Sequence, residues 1–150
     1  MIPLLPPALT ALLTIAPLSL LGLPAPSGLQ IAPFWLVWTG AALCIPAGLL
    51  IALVGKIQFH RNDSEIHPFR TPRNLVTGGL FRISRNPMYL GFLLHLTGIA
   101  LLVNLWPALL APLAFFAAAN LWYIPHEEQA AIDSFGEAYI TYCNNVRRWL

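Results

Sequence analysis

The sequence predicts an all-α fold: a polytopic membrane helix bundle of about four spanning helices with a cytoplasmic C-terminal amphipathic helix. Three observations carry this. The 150-residue chain is 57% hydrophobic and only 9% charged, with a mean hydropathy of +0.68, whereas an average soluble domain is about 25% charged. Residues 1–55 and 86–125 contain no Asp, Glu, Lys or Arg, so charge is confined to two segments. Finally, Ile132, Phe135, Tyr139, Tyr142, Val146 and Trp149 recur at alternating three- and four-residue steps, which lays one apolar stripe along a helix.

Taken in order, residues 2–23 form an apolar run of about 33 Å as a helix, enough for a hydrocarbon core of about 30 Å. Pro3, Pro6, Pro7 and Pro17 make it irregular. The rival reading, a cleavable signal peptide, lacks its positive n-region. Residues 24–33, rich in Pro, Gly and Ser, turn the chain. The second span, 33–55, opens through Phe34, Trp35 and Trp38, aromatic residues suited to a membrane interface. Lys56 stops it and begins a polar loop, 56–88. The apolar run that follows is interrupted at 103–107, "VNLWP", giving spans 89–103 and 106–125 as a hairpin. A tail helix over 127–150 completes a single domain of 1–150.

All eight Lys and Arg residues lie in the loop or the tail: Lys56, Arg61, Arg70, Arg73, Arg82, Arg85, Arg147 and Arg148. The positive-inside rule then puts the loop and both termini in the cytoplasm, consistent with four spans. Arg147 and Arg148 read as anchors to anionic headgroups. The two cysteines, Cys44 and Cys143, are too few and too distant for a disulfide framework or a zinc site. His60, His67, His95 and His126 lack short ligand spacing, so neither a metal nor haem is expected. His95 lies well inside a span and is expected to pair with a neighbouring helix. No nucleic-acid partner is expected, and oligomeric state is not legible.

Two stretches carry chemistry. In "LFRISRNPMYLGF", residues 80–92, Gly78 and Gly79 permit a turn, Asn86 suits an N-cap and Pro87 the first helical position. The helix start has unpaired N–H groups with Arg82 and Arg85 beside them, a site for an anionic group. The alternative is that the arginines anchor the helix among headgroups. In "NLWYIPHEEQ", residues 120–129, Asn120 and Glu127 fall on one helix face near the inner end of the last span. Glu127 could receive an ammonium, a sulfonium-bearing ligand or ribose hydroxyls; Glu127 and Glu128 could equally cap a helix restarting after Pro125.

Together, "LVTGGLFRISRNPMYLG" and the later "EEQAAIDSFGEAYITYCNNVRRWL" resemble the isoprenylcysteine carboxyl methyltransferase family and its phospholipid methyltransferase relatives, small membrane enzymes that use S-adenosyl-L-methionine. The resemblance covers roughly residues 64–150. The family pattern, approximately Arg-His-Pro-x-Tyr-x-Gly, resembles Arg85 to Gly91. It implies cofactor contacts at Leu75, Val76, Phe81, Asn86, Pro87, Met88, Tyr89 and Glu127, and catalytic roles for Arg85, Asn86, Tyr89, Glu127 and Glu128. Asn86 stands where the best-known members have His; it can donate a hydrogen bond but cannot supply imidazole protonation. Tyr123 stands where the prenylcysteine enzymes have the arginine that meets the substrate carboxylate. The resemblance therefore implies a lipophilic acceptor, either a prenylcysteine-like carboxylate or a lipid amine, without choosing between O- and N-methylation. Two other readings stay open: a nicotinamide-dependent membrane reductase of related fold, and a non-catalytic membrane protein.

Overall fold

The computed structural model describes residues 6–20, 28–61 and 74–150. Every element among them is helical, and the sole extended pairing there is an isolated bridge between Gln30 and Leu105. The chain runs through α1 (Pro6–Leu18), α2 (Phe34–Arg61), a 3-10 turn (Gly79–Arg82) and α3 (Pro87–Val103). It continues through a 3-10 turn (Trp106–Leu109), α4 (Leu110–Ala118), a π turn (Ala119–Tyr123), α5 (Ile124–Phe135) and α6 (Glu137–Asn145).

Helices α2 and α3 pack closely because glycines line their crossing. A β-carbon on Gly48 would lie 2.5 Å from the His95 nitrogen and 2.6 Å from the Gly91 carbonyl oxygen, and one on Gly91 would lie 2.6 Å from the Ala52 nitrogen. Only hydrogen side chains let the backbones meet, a device suited to helices in lipid, where apolar burial gives little drive to associate. Farther along, Gly98 faces Cys44 and Ile45 in the same way.

Asn104 ends α3 in the left-handed conformation, φ 54°. Its side-chain oxygen accepts from the Ile31 and Ala32 amides at 3.1 and 3.2 Å, and its amide donates to the Ala32 carbonyl at 3.1 Å. One residue thereby stops a helix and ties down the segment leading into α2.

The 3-10 turn at Trp106, α4, the π turn and α5 form one helical rod, Trp106–Phe135. The π turn has a local cause. Pro125 has no N–H for the Leu121 carbonyl, and just before it the Ile124 amide bonds the Ala119 oxygen, five residues back. Between α3 and the rod lies the central core of Tyr89, Leu96, Phe115, Ala119, Tyr123 and Ile124, with Leu9 and Leu13 of α1 against it.

The structure corrects several sequence boundaries. Two helices, α2 and the rod, are long and apolar enough to cross a bilayer, whereas α1 and α3 are shorter apolar helices. Residues 1–5 and 21–27, which belong to the expected first span and turn, lie outside the described residues. The expected loop 56–88 is shorter than read: α2 runs on to Arg61 and α3 opens at Pro87, with residues 62–73 outside the described residues. The expected tail helix 127–150 is not one helix. Gly136, at φ 53° and ψ −126°, breaks it into α5 and α6, a conformation that glycine adopts without steric cost. After Asn145 the chain leaves the helix, with Val146 at φ −129° and ψ 130°.

The apolar stripe consequently splits. Tyr139 and Tyr142 are buried with Ala131, and Leu75, Phe135, Cys143 and Val146 pack around them. Trp149 instead reaches Phe116, with ring centroids 5.2 Å apart.

Candidate functional site

The site forms where α3 begins. Pro87 occupies the first helical turn and is buried, with Pro87 and Met88 facing Gly55 of α2. Asn86 stands at the N-cap but makes no side-chain cap bond. Its amide donates instead to the Arg148 carbonyl at 3.1 Å, and its backbone N–H donates to Ser84 Oγ at 3.2 Å. The expected capping role is therefore replaced by a tertiary one.

One turn into α3, the Tyr89 hydroxyl donates to Glu127 Oε1 at 2.7 Å. The Tyr89 ring is buried, stacked on Tyr123 at 6.2 Å and tilted against Phe115 at 6.2 Å. Among the described residues, the Glu127 carboxyl thus meets a neutral phenol rather than a cation.

Its neighbour is handled oppositely. Glu128 Oε1 pairs with Arg85 Nη2 at 3.0 Å and accepts from Arg148 Nε at 3.2 Å, while Glu128 Oε2 takes Arg148 Nη2. Two arginines therefore neutralise Glu128, in a fork that fixes side-chain orientation. Arg148, read from the sequence as a headgroup anchor, has a carboxylate partner within the fold. The Arg85 Nε remains buried without a partner among the described residues.

The 3-10 turn before α3 is fastened on two sides. Gln58 Oε1 of α2 accepts the Leu80 amide at 3.1 Å, close over Gly79, whose φ is +60°. Phe81 is buried against Phe59 at 5.7 Å, and its carbonyl accepts the Tyr142 hydroxyl at 2.6 Å. Burial, with the nearby Cys143 thiol adding to it, pushes the Tyr142 hydroxyl up to about 12 despite the opposing charge of Arg85, so it stays a donor. Val76 is buried and Leu75 packs under α6.

The two motif stretches thus meet at one end of the bundle. Tyr89 touches Glu127, Arg85 touches Glu128, and Asn86 reaches residue 148. The Asn120 side chain is not paired with Glu127; its oxygen accepts the Trp149 indole N–H at 3.1 Å. His95 meets Thr14 of α1 at 3.4 Å, the neighbouring-helix pairing expected of it. Ser84, Arg148 and Trp149 are the contributors that sequence reasoning missed. Ser84 lies within the first motif stretch but matches no position of the family pattern, Arg148 reads from the sequence as a headgroup anchor, and Trp149 reads as the last residue of an apolar stripe.

The family model for phospholipid methyltransferase matches residues 35–138, more than half the chain. The chain belongs to the phospholipid methyltransferase family. No curated protein and no solved structure matches it. The matched stretch of this phospholipid methyltransferase family member runs from α2 to the first residues of α6. It contains Arg85, Tyr89, Glu127 and Glu128 but not Arg148 or Trp149.

Proposed function

We propose that this family member is an S-adenosyl-L-methionine-dependent methyltransferase acting on a lipophilic acceptor at the end of the bundle where α3 opens. The observation that carries the reading is the Tyr89–Glu127 hydrogen bond, which joins two stretches 38 residues apart and, among the described residues, leaves a carboxylate facing no cation. A donor that combines a positive sulfonium and ammonium with ribose hydroxyls suits such a carboxylate, and the unpartnered Arg85 Nε beside the second glutamate suits the donor's own carboxylate. When bound, the cofactor supplies an electrophilic methyl group for in-line displacement.

The protein's tasks are then orientation and exclusion of water. Glu127, held by Tyr89, binds and aligns. The stacked Tyr89–Tyr123 rings give the site a dry apolar wall, and Leu75, Val76, Phe81, Pro87 and Met88 support it. Asn86 and Glu128 act differently from what motif resemblance alone implies, because both side chains are committed to holding Arg148. A carboxylate acceptor arrives ionised, while an amine acceptor must lose a proton, with Glu127 the nearby base whose charge is not spent on an arginine.

The reading places the chain in the bilayer with α1 and α3 beside the two long helices as four spans, the site in the cytoplasmic leaflet, and the acceptor, a prenylcysteine-like acid or lipid amine, entering from the lipid. It is favoured over a nicotinamide-dependent reductase because the family model that matches residues 35–138 is one of methyltransferases.

The test is calorimetric titration of the purified protein with S-adenosylhomocysteine. Wild type binds, and Glu127→Gln, which keeps an acceptor for Tyr89 but removes the charge, binds at least about tenfold more weakly. A wild type that is stabilised by NADPH and not by S-adenosylhomocysteine would overturn the reading.

A further inference from the structure

Among the described residues, α3 and α5 share no broad contact of their own, yet the Tyr89–Glu127 bond requires their side chains to meet at 2.7 Å. The non-helical residues 147–149 bridge them. On one side, their backbone grips the segment that opens α3. The Arg147 carbonyl accepts the Arg85 amide at 3.0 Å, and the Arg148 carbonyl accepts Asn86 Nδ2 at 3.1 Å and Ser84 Oγ at 3.3 Å. On the other, their side chains grip the rod. Arg148 forks onto Glu128, and Trp149 donates to Asn120 in the π turn while its ring lies on Phe116.

The gripped residues flank the pair closely: Ser84, Arg85 and Asn86 precede Tyr89 within one or two turns, Glu128 follows Glu127 directly, and Asn120 sits in the turn that sets where Glu127 points. Ser84 is 2% exposed, so the bond it makes to the Arg148 carbonyl is shielded from competing water.

We propose that residues 147–149 are a clasp holding the start of α3 against the π turn and α5, with Trp149 a positioning residue for the Tyr89–Glu127 pair. The clasp lies outside the stretch matched by the family model, residues 35–138. A π turn is a weak point in a helix, since its wider ring can revert to α geometry with a shift of everything after it. The indole N–H on Asn120 holds that turn in register, and Arg148 on Glu128 holds the residue after the binding carboxylate.

The experiment compares wild type, Trp149→Phe, Asn120→Ala and the double variant, as full chains in detergent micelles, by hydrogen–deuterium exchange and by S-adenosylhomocysteine titration. Phenylalanine keeps a ring on Phe116 and removes the N–H. In each single variant the amides of 119–128 exchange faster than in wild type, and S-adenosylhomocysteine binds about tenfold more weakly, the scale of one lost hydrogen bond. The melting temperature stays close to wild type, and the double variant is no worse than the poorer single one, because both changes cut the same bond. Exchange and affinity that stay at wild-type levels, or losses that add independently, overturn the clasp. So does a lowered melting temperature with exchange and affinity intact, which is what a merely structural tryptophan would give. The affinity arm rests on the methyltransferase reading and the exchange arm does not: a wild type that fails to bind removes that reading, while exchange still decides the clasp.

Discussion

Adjacent glutamates with the same side-chain chemistry have opposite fates here. Glu127 accepts from a tyrosine, whereas Glu128 is neutralised by Arg85 and Arg148. The difference follows from helix geometry: consecutive residues point about 100° apart, so one meets α3 and the other meets Arg85 and the segment after α6. The prediction at this scale is a division of phenotype. Glu128→Gln loses about 1–3 kcal/mol of stability by denaturant or thermal unfolding, below the cost for a fully buried pair because Arg148 is 36% exposed. Much of its S-adenosylhomocysteine affinity survives at a temperature where the protein is folded. A Glu128→Gln variant as stable as wild type but unable to bind would reverse the assignment of the two carboxylates.

The elements that set the site are short irregular pieces fixed by single residues: a 3-10 turn pinned by Gln58 and Tyr142, a π turn next to Pro125, and the break at Gly136. The regular elements supply the rigid frame, and the α2–α3 crossing is its tightest part. Gly91→Ala introduces a β-carbon 2.6 Å from both the Ala52 nitrogen and the Gly48 oxygen, backbone atoms that can yield only by separating the helices. We expect a loss of about 1–3 kcal/mol, visible as a lowered melting temperature, and weaker ligand binding because Tyr89 lies half a turn away on the same helix. Wild-type melting behaviour in Gly91→Ala would mean that the crossing is looser than its geometry.

Across the whole molecule, apolar side chains face outward: Leu43, Leu110 and Leu121 are 71%, 67% and 79% exposed, a surface suited to lipid rather than water. Trp35, Trp38, Trp106 and Trp122 are likewise exposed, as interfacial belt residues would be. The proposed topology puts the site at the cytoplasmic face, and it makes a labelling prediction. In vesicles of known sidedness, Arg147→Cys, at an exposed position, reacts with an impermeant maleimide only when the cytoplasmic face is accessible; reaction from the opposite face alone would invert the proposed orientation. The helical class, the apolar segments and the break near residue 104 were legible in the sequence, while the pairing of the two motif stretches is what the family resemblance implies. Composition, Pro and Gly placement and three- to four-residue periodicity act locally, and local rules survive folding. Tertiary structure alone decided which glutamate is neutralised, that Asn86 reaches residue 148 rather than capping its helix, and that residues 147–149 form a strap instead of a last helical turn. Each of those depends on which partner a polar group finds across the fold, and a side chain's sequence neighbours say nothing about a partner that arrives from 20, 62 or 64 positions away.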